Sequence, residues 1–191
     1  LAACSSGSAT TTTSSGGTGT LSIDLTDAPI DYSMVEEAKI WVEEVRVHQD
    51  GDDDADEGGF ETLYDGDTQE FNLMDLRNGV MSPLALGELP VGSYGQVRVI
   101  ISRAYLRLVN GAEYDSDLGT IHLTSQNTSG FKVNIEPAIE VVGGLTSSLL
   151  LDVDLTKTFK PVPGNDPMNA NFYHLHPVIR VANLSDTGDV Q

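Results

Sequence analysis

The most chemically distinctive stretch of the sequence is acidic and runs from His48 to Glu61. Six carboxylates lie between Asp50 and Glu57, and no Lys or Arg occurs between Asp50 and Glu70. Such a density of like charge is unfavourable unless solvent, salt or a bound cation compensates it. Loops that supply carboxylate oxygens from alternate residues are typical Ca²⁺ sites. The stretch therefore indicates either a calcium site or a solvated acidic loop.

The spacing of the carboxylates favours calcium. Counted from the first aspartate, five of the seven carboxylates fall at positions 1, 3, 5, 7 and 12, which are ligand positions of an EF-hand loop. Glu57 stands at the eighth position, which is normally apolar in such a loop. Ala55 stands where that loop needs glycine, and the flanking residues have strand patterns rather than helix patterns. We therefore predict a β-hairpin loop that binds Ca²⁺ with similar spacing. The candidate ligands are Asp50, Asp52, Asp54, Asp56 and Glu61.

A second group of potential ligands lies near the C-terminus. His174 and His176 alternate with apolar residues in one predicted strand, and Asp152 and Asp154 alternate with apolar residues in another. If these two strands pair with their apolar faces inward, the four polar side chains share one surface. That set could bind Zn²⁺ or another transition metal. The simpler alternative is cross-strand pairing on a solvated face.

The single cysteine, Cys4, ends the sequence Leu-Ala-Ala-Cys, which resembles a bacterial lipobox. In a lipobox the cysteine is lipidated and becomes the mature N-terminus. Residues 5–20 are rich in Ser, Thr and Gly, a composition typical of a flexible tether. Four successive threonines within this segment could instead pair as a strand with a neighbouring molecule. We predict a surface lipoprotein, anchored to the outer membrane or cell envelope.

Short strands are expected to position these groups. Leu21, Ile23 and Leu25 alternate with polar residues, which predicts a strand over 20–26. The strand predicted over 38–48 changes its apolar phase near Glu43, which indicates a bulge. Asn110-Gly111 predicts a hairpin within 105–114. Further strands are predicted over 60–64, 94–102, 120–123, 131–135, 145–155 and 172–181, with a helical turn near 74–78.

Closely spaced strands without a long helix predict an all-β, antiparallel β-sandwich, immunoglobulin- or transthyretin-like, with a short helical turn. We place this domain at residues 19–185. Residues 1–18 are expected to form the lipobox remnant and the tether or donor strand, and residues 186–191 a C-terminal tail. No apolar run approaches the roughly 20 residues that a membrane-spanning helix needs.

Charge excludes some classes of function. The chain of 191 residues has 29 acidic and 10 basic residues and a net charge of −19. Nucleic-acid binding and direct binding to anionic lipid both need a basic surface. No nucleophile elbow, zinc-protease helix or phosphate-binding loop is present. We therefore expect a protein that is not an enzyme and that meets a membrane only through its lipid anchor.

Several ordered segments resemble a known family, named only as domain of unknown function 4382. The segments are Gly19–Pro29, Trp41–His48, Asp75–Gly79, Leu89–Arg98, Leu151–Lys157 and His176–Val181. The resemblance covers roughly residues 19–183. It implies a secreted, sandwich-like domain of bacterial and archaeal surface proteins, often behind a lipobox. It implies no catalytic residues.

Together these observations predict a non-enzymatic structural protein of the cell surface. We expect Ca²⁺ in the acidic loop to stabilise it. We also expect self-assembly, or contact with other surface proteins, through the N-terminal tail. The alternative is an adhesion or glycan-binding module with a polysaccharide partner.

Overall fold

The computed structural model describes residues 17–27, 33–50, 59–123, 130–164 and 166–184. Strands dominate these residues, which confirms the prediction of an all-β, sandwich-like fold. In chain order they are β1 (Thr18–Asp27), β2 (Val35–Gln49), β3 (Phe60–Tyr64), β4 (Gln69–Asn72), β5 (Ser82–Pro90), β6 (Gly92–Leu108), β7 (Glu113–Asp115), β8 (Ile121–Leu123), β9 (Phe131–Val141), β10 (Thr146–Val153), β11 (Phe159–Val162), β12 (Phe172–Leu175) and β13 (Ile179–Asn183).

Helices are short throughout the described residues. A single α-helical turn, α1 (Leu155–Thr158), follows β10, and 3₁₀ turns occur at Leu73–Leu76 and Pro167–Asn169. The first 3₁₀ turn overlaps the helical turn that the sequence predicted near residue 74. None of these helices has the length and apolar composition needed to cross a membrane.

The first sheet has the strand order β13-β10-β1-β5. β1 lies between β10 and β5 in this sheet. Leu21, Ile23 and Leu25 alternate along the strand and are all buried, so one face of β1 is packed against the core. β1 pairs antiparallel with β5 but parallel with β10, where Leu25 lies opposite Leu151. A parallel pair needs a long connection, and here most of the chain lies between the two strands.

The second sheet is built on two long central strands, β2 and β6. The outer edge of β2 pairs with β3 and β4, and the outer edge of β6 pairs with β7 and β9. Val42 lies opposite Ile101 and Glu44 opposite Ile100, so Glu43 is an extra residue on β2. This confirms the predicted bulge, and it keeps the apolar residues on both sides of Glu43 in the core.

The hairpin predicted at Asn110-Gly111 is also present, and it joins β6 to β7. Gly111 has φ +84°, a left-handed conformation that glycine adopts without a steric penalty. The Asn110 side chain accepts a hydrogen bond from the Ala112 N–H at 2.9 Å. The turn chemistry alone was therefore sufficient to place this connection.

The strand predicted over 172–181 is wrong in one respect, because it is two strands in different sheets. β12 pairs with β11 and β8 in a third, small sheet, whereas β13 joins the first sheet beside β10. Pro177 lies between them and has no N–H to donate to a strand ladder. The neighbouring N–H groups of His176 and Val178 bond instead to Thr158, so the chain crosses from one sheet to the other here.

Candidate functional site

The acidic segment connects two paired strands. β2 and β3 are antiparallel, with Val47 opposite Glu61 and His48 opposite Phe60. This confirms the predicted hairpin connection. Residues 51–58 lie outside the described residues, so the structure places only the first and last of the five proposed Ca²⁺ ligands. Asp52, Asp54 and Asp56 are among the residues it does not describe.

Asp50, the first proposed ligand, is fixed against the central strand β6. Its N–H donates to the Ser93 carbonyl at 2.7 Å, and the Ser93 hydroxyl donates to its carboxylate at 3.2 Å. The same carboxylate lies directly over Gly95, where an added Cβ would come within 2.2 Å of Oδ1. The glycine therefore allows the side chain to lie against the strand. No pattern in the sequence predicted this contact.

Glu61, the last proposed ligand, lies on the exposed side of β3. Its charge affects the interior of the domain. Burial, together with the negative charge of Glu61, raises the pKa of Tyr94 above its usual value. Tyr94 is fully buried and donates its hydroxyl to the Pro90 carbonyl at 2.9 Å. The Glu61 carboxylate at the base of the loop therefore disfavours ionisation of the buried Tyr94 hydroxyl.

The second predicted group of ligands, Asp152, Asp154, His174 and His176, does not lie on two paired strands. β10, which carries Asp152, pairs with β13 rather than with the histidine-bearing β12. Asp152 lies opposite Arg180. Burial raises the pKa of the Asp152 carboxyl, although the charge of Arg180 acts against the shift. Its buried Oδ1 has no hydrogen-bond partner among the described residues.

Asp154 has a structural role at the start of α1. Its carboxylate accepts hydrogen bonds from the Thr156 hydroxyl at 2.8 Å, the Lys157 N–H at 3.2 Å and the Lys157 ammonium at 2.6 Å. These bonds cap the helical turn. Burial raises the pKa of Asp154, but the bonds from Lys157 and Thr156 outweigh it and bring the pKa below its usual value.

The histidines have different neighbours from those that the sequence suggested. His174 lies beside His122 on the adjacent parallel strand β8, with ring centroids 5.4 Å apart, and Phe172 stacks on His122 at 4.6 Å. His176 lies beyond the end of β12 and is exposed. β8 and β12 both have the pattern apolar–His–apolar, a signal that could have suggested that these two strands pair. Among the described residues, no three His, Cys, Asp or Glu side chains form a group able to hold a metal.

A cleft of about 860 Å³, which the sequence did not indicate, lies between α1, β11 and β12 on one side and the start of β2 and end of β6 on the other. Its apolar lining includes the buried residues Leu106, Leu108, Leu155, Phe159 and Tyr173. The Tyr173 hydroxyl donates to the Pro167 carbonyl at 2.9 Å, and burial raises the tyrosine pKa well above its usual value. The wall that Tyr173 forms is therefore fixed and uncharged.

A family model described as Domain of unknown function (DUF4382) matches residues 18–177. The chain belongs to this family. The matched part of the DUF4382 domain begins with β1 and includes the acidic connection, α1 and the residues that form the cleft. Neither the curated proteins nor the solved structures contain a match to the chain. The membership confirms the resemblance seen in the sequence, and it gives no residue of this DUF4382 domain a role.

Proposed function

We propose that this chain is a non-catalytic structural domain of the cell surface, stabilised by Ca²⁺ bound in the loop between β2 and β3. One observation carries the proposal: the acidic segment is a hairpin connection whose first carboxylate, Asp50, is held against Ser93 and Gly95 on β6. A ligand fixed before the metal arrives costs less conformational entropy on binding. Asp52, Asp54 and Asp56 follow at alternate positions, and Glu61 closes the segment.

Charge supports the same proposal. The segment contains seven of the 29 acidic residues of a chain whose net charge is −19. A divalent cation would relieve their mutual repulsion, and it would stabilise the folded chain through its preference for the folded site. Such a site suits an extracellular domain, where calcium modules bind with dissociation constants near 10⁻⁴–10⁻³ M.

The Ca²⁺ proposal is tested by thermal unfolding with millimolar CaCl₂ or with a chelator. Occupation at a hundred times the dissociation constant should add about 2.7 kcal/mol, which corresponds to a melting-temperature increase of roughly 5–10 °C for a domain of this size. The triple variant Asp52→Asn, Asp54→Asn, Asp56→Asn should lose this increase. Failure of Ca²⁺ to change the melting temperature of the unmodified protein would remove the metal from the proposal.

A matched control removes three carboxylates at the other end of β2. Glu36 forms an ion pair with Arg107 at 3.2 Å, and Asp117 forms one with Arg103 at 3.1 Å. Glu113 lies in register with Arg107 on β7. The variant Glu36→Gln, Glu113→Gln, Asp117→Asn should keep the full response to Ca²⁺. An equal loss in both triple variants would indicate a general effect of net charge.

Surface attachment and self-assembly are part of the same proposal. Cys4 and the Thr-rich segment lie outside the described residues, and their support is the lipobox-like sequence and its composition. A groove of about 640 Å³ between β9 and the chain crossing before β13 could receive an extended segment. In the described part of the chain, β9 pairs with β6 alone, so no other described strand covers its second edge.

Electron microscopy and size-exclusion chromatography test the assembly proposal. The full chain should form filaments or larger species, and a chain that begins at Gly17 should remain monomeric. Replacing the four threonines of residues 10–13 with glycine keeps the length and should have the same effect as the truncation. Monodisperse monomers of the full chain at every concentration would contradict self-assembly.

One observation favours the alternative, an adhesion or glycan-binding module. The rings of His122, Phe172 and His174 form a group at the third sheet, and aromatic rings are suited to stacking against sugars. A polysaccharide partner predicts binding on a glycan array that is lost in Phe172→Ala. Retention of that binding in the variant would exclude this surface.

A further inference from the structure

We propose that the cleft between α1, β11 and β12 and the ends of β2 and β6 binds a long-chain fatty acid, with its carboxylate at Lys160 and its hydrocarbon chain along the apolar lining. The inference does not depend on the Ca²⁺ site or on self-assembly. Its head-group residue, Lys160, belongs neither to the acidic loop nor to the groove beside β9.

The size and lining of the cleft fit a hydrocarbon chain. Its volume of about 860 Å³ falls in the 300–1,000 Å³ range of small-molecule sites. Leu108, Leu155 and Phe159 are at most 5 % exposed and form its closed floor. Met34 lines the same cleft and is 44 % exposed, and Pro161 and Val162 are partly exposed. The accessible apolar surface of the cleft is therefore supplied by these more exposed residues.

The charged residues of the cleft are all basic. Lys157 and Lys160 line it, and no Asp or Glu is among the described residues that do. This is unusual in a chain with 29 acidic and 10 basic residues. A cleft with one sign of charge over apolar walls concentrates ligands of the opposite sign. The positive charge of the cleft is therefore complementary to an anion, although the net charge of the whole chain is negative.

Lys160 is the group available to a carboxylate. It is exposed and lies on β11, an edge strand of the third sheet. Lys157 is paired with Asp154 at 2.6 Å, whereas Lys160 forms no ion pair within the described residues. His174 lies opposite Lys160 on β12, but its Nδ1 is buried and its ring contacts His122 and Phe172.

The apolar lining favours a fatty acid over an acidic peptide. A peptide in this cleft would bury backbone N–H and C=O groups against Met34, Pro161 and Val162, whose side chains cannot hydrogen-bond with them. The Tyr173 hydroxyl is already bonded to Pro167. A single hydrocarbon chain has no such groups to satisfy, and its one carboxylate matches the one available ammonium.

The proposal is tested by isothermal titration calorimetry, in which palmitate is titrated into the full chain. We expect saturable one-to-one binding that Lys160→Glu weakens by about tenfold or more, through loss of a charge-assisted contact and like-charge repulsion. The matched control is Lys132→Glu, an exposed lysine on β9 outside this cleft. It makes the same change in net charge and should leave the palmitate dissociation constant within about twofold of the unmodified value.

The uncharged probe hexadecanol tests the position of the head group. It should bind the unmodified protein more weakly than palmitate does, and Lys160→Glu should not change its affinity. Absence of saturable palmitate binding would overturn the proposal, as would equal weakening by Lys160→Glu and Lys132→Glu. Circular dichroism of each variant checks that the fold is retained. The Ca²⁺ response should be unchanged in Lys160→Glu, which separates this site from the acidic loop.

Discussion

Asp152 and Asp154 show how differently two neighbouring carboxylates can be placed. Asp154 caps α1 and accepts three hydrogen bonds, which hold its pKa below the usual value. Asp152 lies two residues earlier on β10, where burial raises its pKa. Both were candidate metal ligands in the sequence. In the structure, Asp154 stabilises its surroundings as an anion, whereas Asp152 is held at a cost when it is ionised.

Asp152→Asn should therefore stabilise the protein at pH 7. A carboxyl whose folded pKa is raised costs stability at every pH above that pKa. Asparagine removes the charge with almost no change in shape. We expect a gain of about 0.5 kcal/mol or more in the free energy of unfolding, at the scale of other stabilising charge substitutions, measured by urea denaturation.

The pH dependence supplies the check on this prediction. The advantage of Asp152→Asn should shrink as the pH falls from the raised folded pKa towards 3.8, the usual pKa of an aspartate. Below that pH the aspartate is protonated in both the folded and the unfolded protein, so it is as uncharged as asparagine. The control, Asp154→Asn, should instead destabilise at pH 7, since the Asp154 pKa is lowered. A destabilising effect of Asp152→Asn that does not change with pH would contradict the interpretation.

At the scale of elements, β6 positions the acidic connection through its glycines. An added Cβ would come within 2.2 Å of the Asp50 carboxylate at Gly95 and within 2.1 Å of the Gln49 amide at Gly92. In both cases the atom met is the end of a flexible side chain rather than backbone. The two glycines therefore determine where these side chains lie more than whether the strand forms.

Gly95→Ala should displace the Asp50 carboxylate and weaken Ca²⁺ binding. We expect the dissociation constant from calorimetry to rise by about tenfold, as for the loss of one charged ligand. The loss of unfolding free energy without Ca²⁺ should stay within about 1 kcal/mol. Gly143→Ala is the control, because its Cβ would make only ordinary contacts, the nearest at 3.5 Å from Val91. Unchanged Ca²⁺ affinity in Gly95→Ala would remove Asp50 from the site.

Local signals in the sequence were enough to predict most individual strands. Alternation places Leu21, Ile23 and Leu25 in the core, the phase change reveals the bulge at Glu43, and Asn110-Gly111 specifies a hairpin. Each of these features depends on residues within one element and its turn. The hairpin connection around the acidic segment was likewise predicted from the strand patterns on either side of it.

Local patterns did not predict which strands, distant in the sequence, pair with each other. Nothing local to β1 specifies a parallel pairing with β10, and an alternating pattern does not show that the chain changes sheets at Pro177. The grouping of Asp152 with His174 was wrong for that reason, although both residues were assigned to strands. The cleft was missed because its walls come from four separate parts of the chain.

At the scale of the whole molecule, the dominant property is the net charge of −19. Repulsion among charges of one sign destabilises a compact state. Carboxylates such as Asp115 have basic partners, and its contact with Arg103 lowers its pKa. There are too few basic residues in the sequence to pair with every acidic one. General electrostatic repulsion should therefore be measurable separately from any specific Ca²⁺ effect.

Added salt should stabilise this protein. Raising NaCl from 10 to 150 mM shortens the screening length from about 30 to 8 Å. We expect the melting temperature to rise by a few degrees, roughly 2–4 °C for each kcal/mol gained in a domain of this size. CaCl₂ should raise it further than MgCl₂ at equal ionic strength. A melting temperature that is constant or falls with NaCl would show that repulsion does not limit stability.

The interior position of β1 determines how the domain bears mechanical load. A pull on the residues before Thr18 acts along β1, which is paired with β10 on one side and β5 on the other. The hydrogen bonds on both sides then resist in shear, and they must break together rather than one after another. A pull on the residues after Asn183 acts instead on β13, an edge strand whose pairing within the described strands is with β10 alone. The N-terminal end is thus the stronger point of attachment under tension.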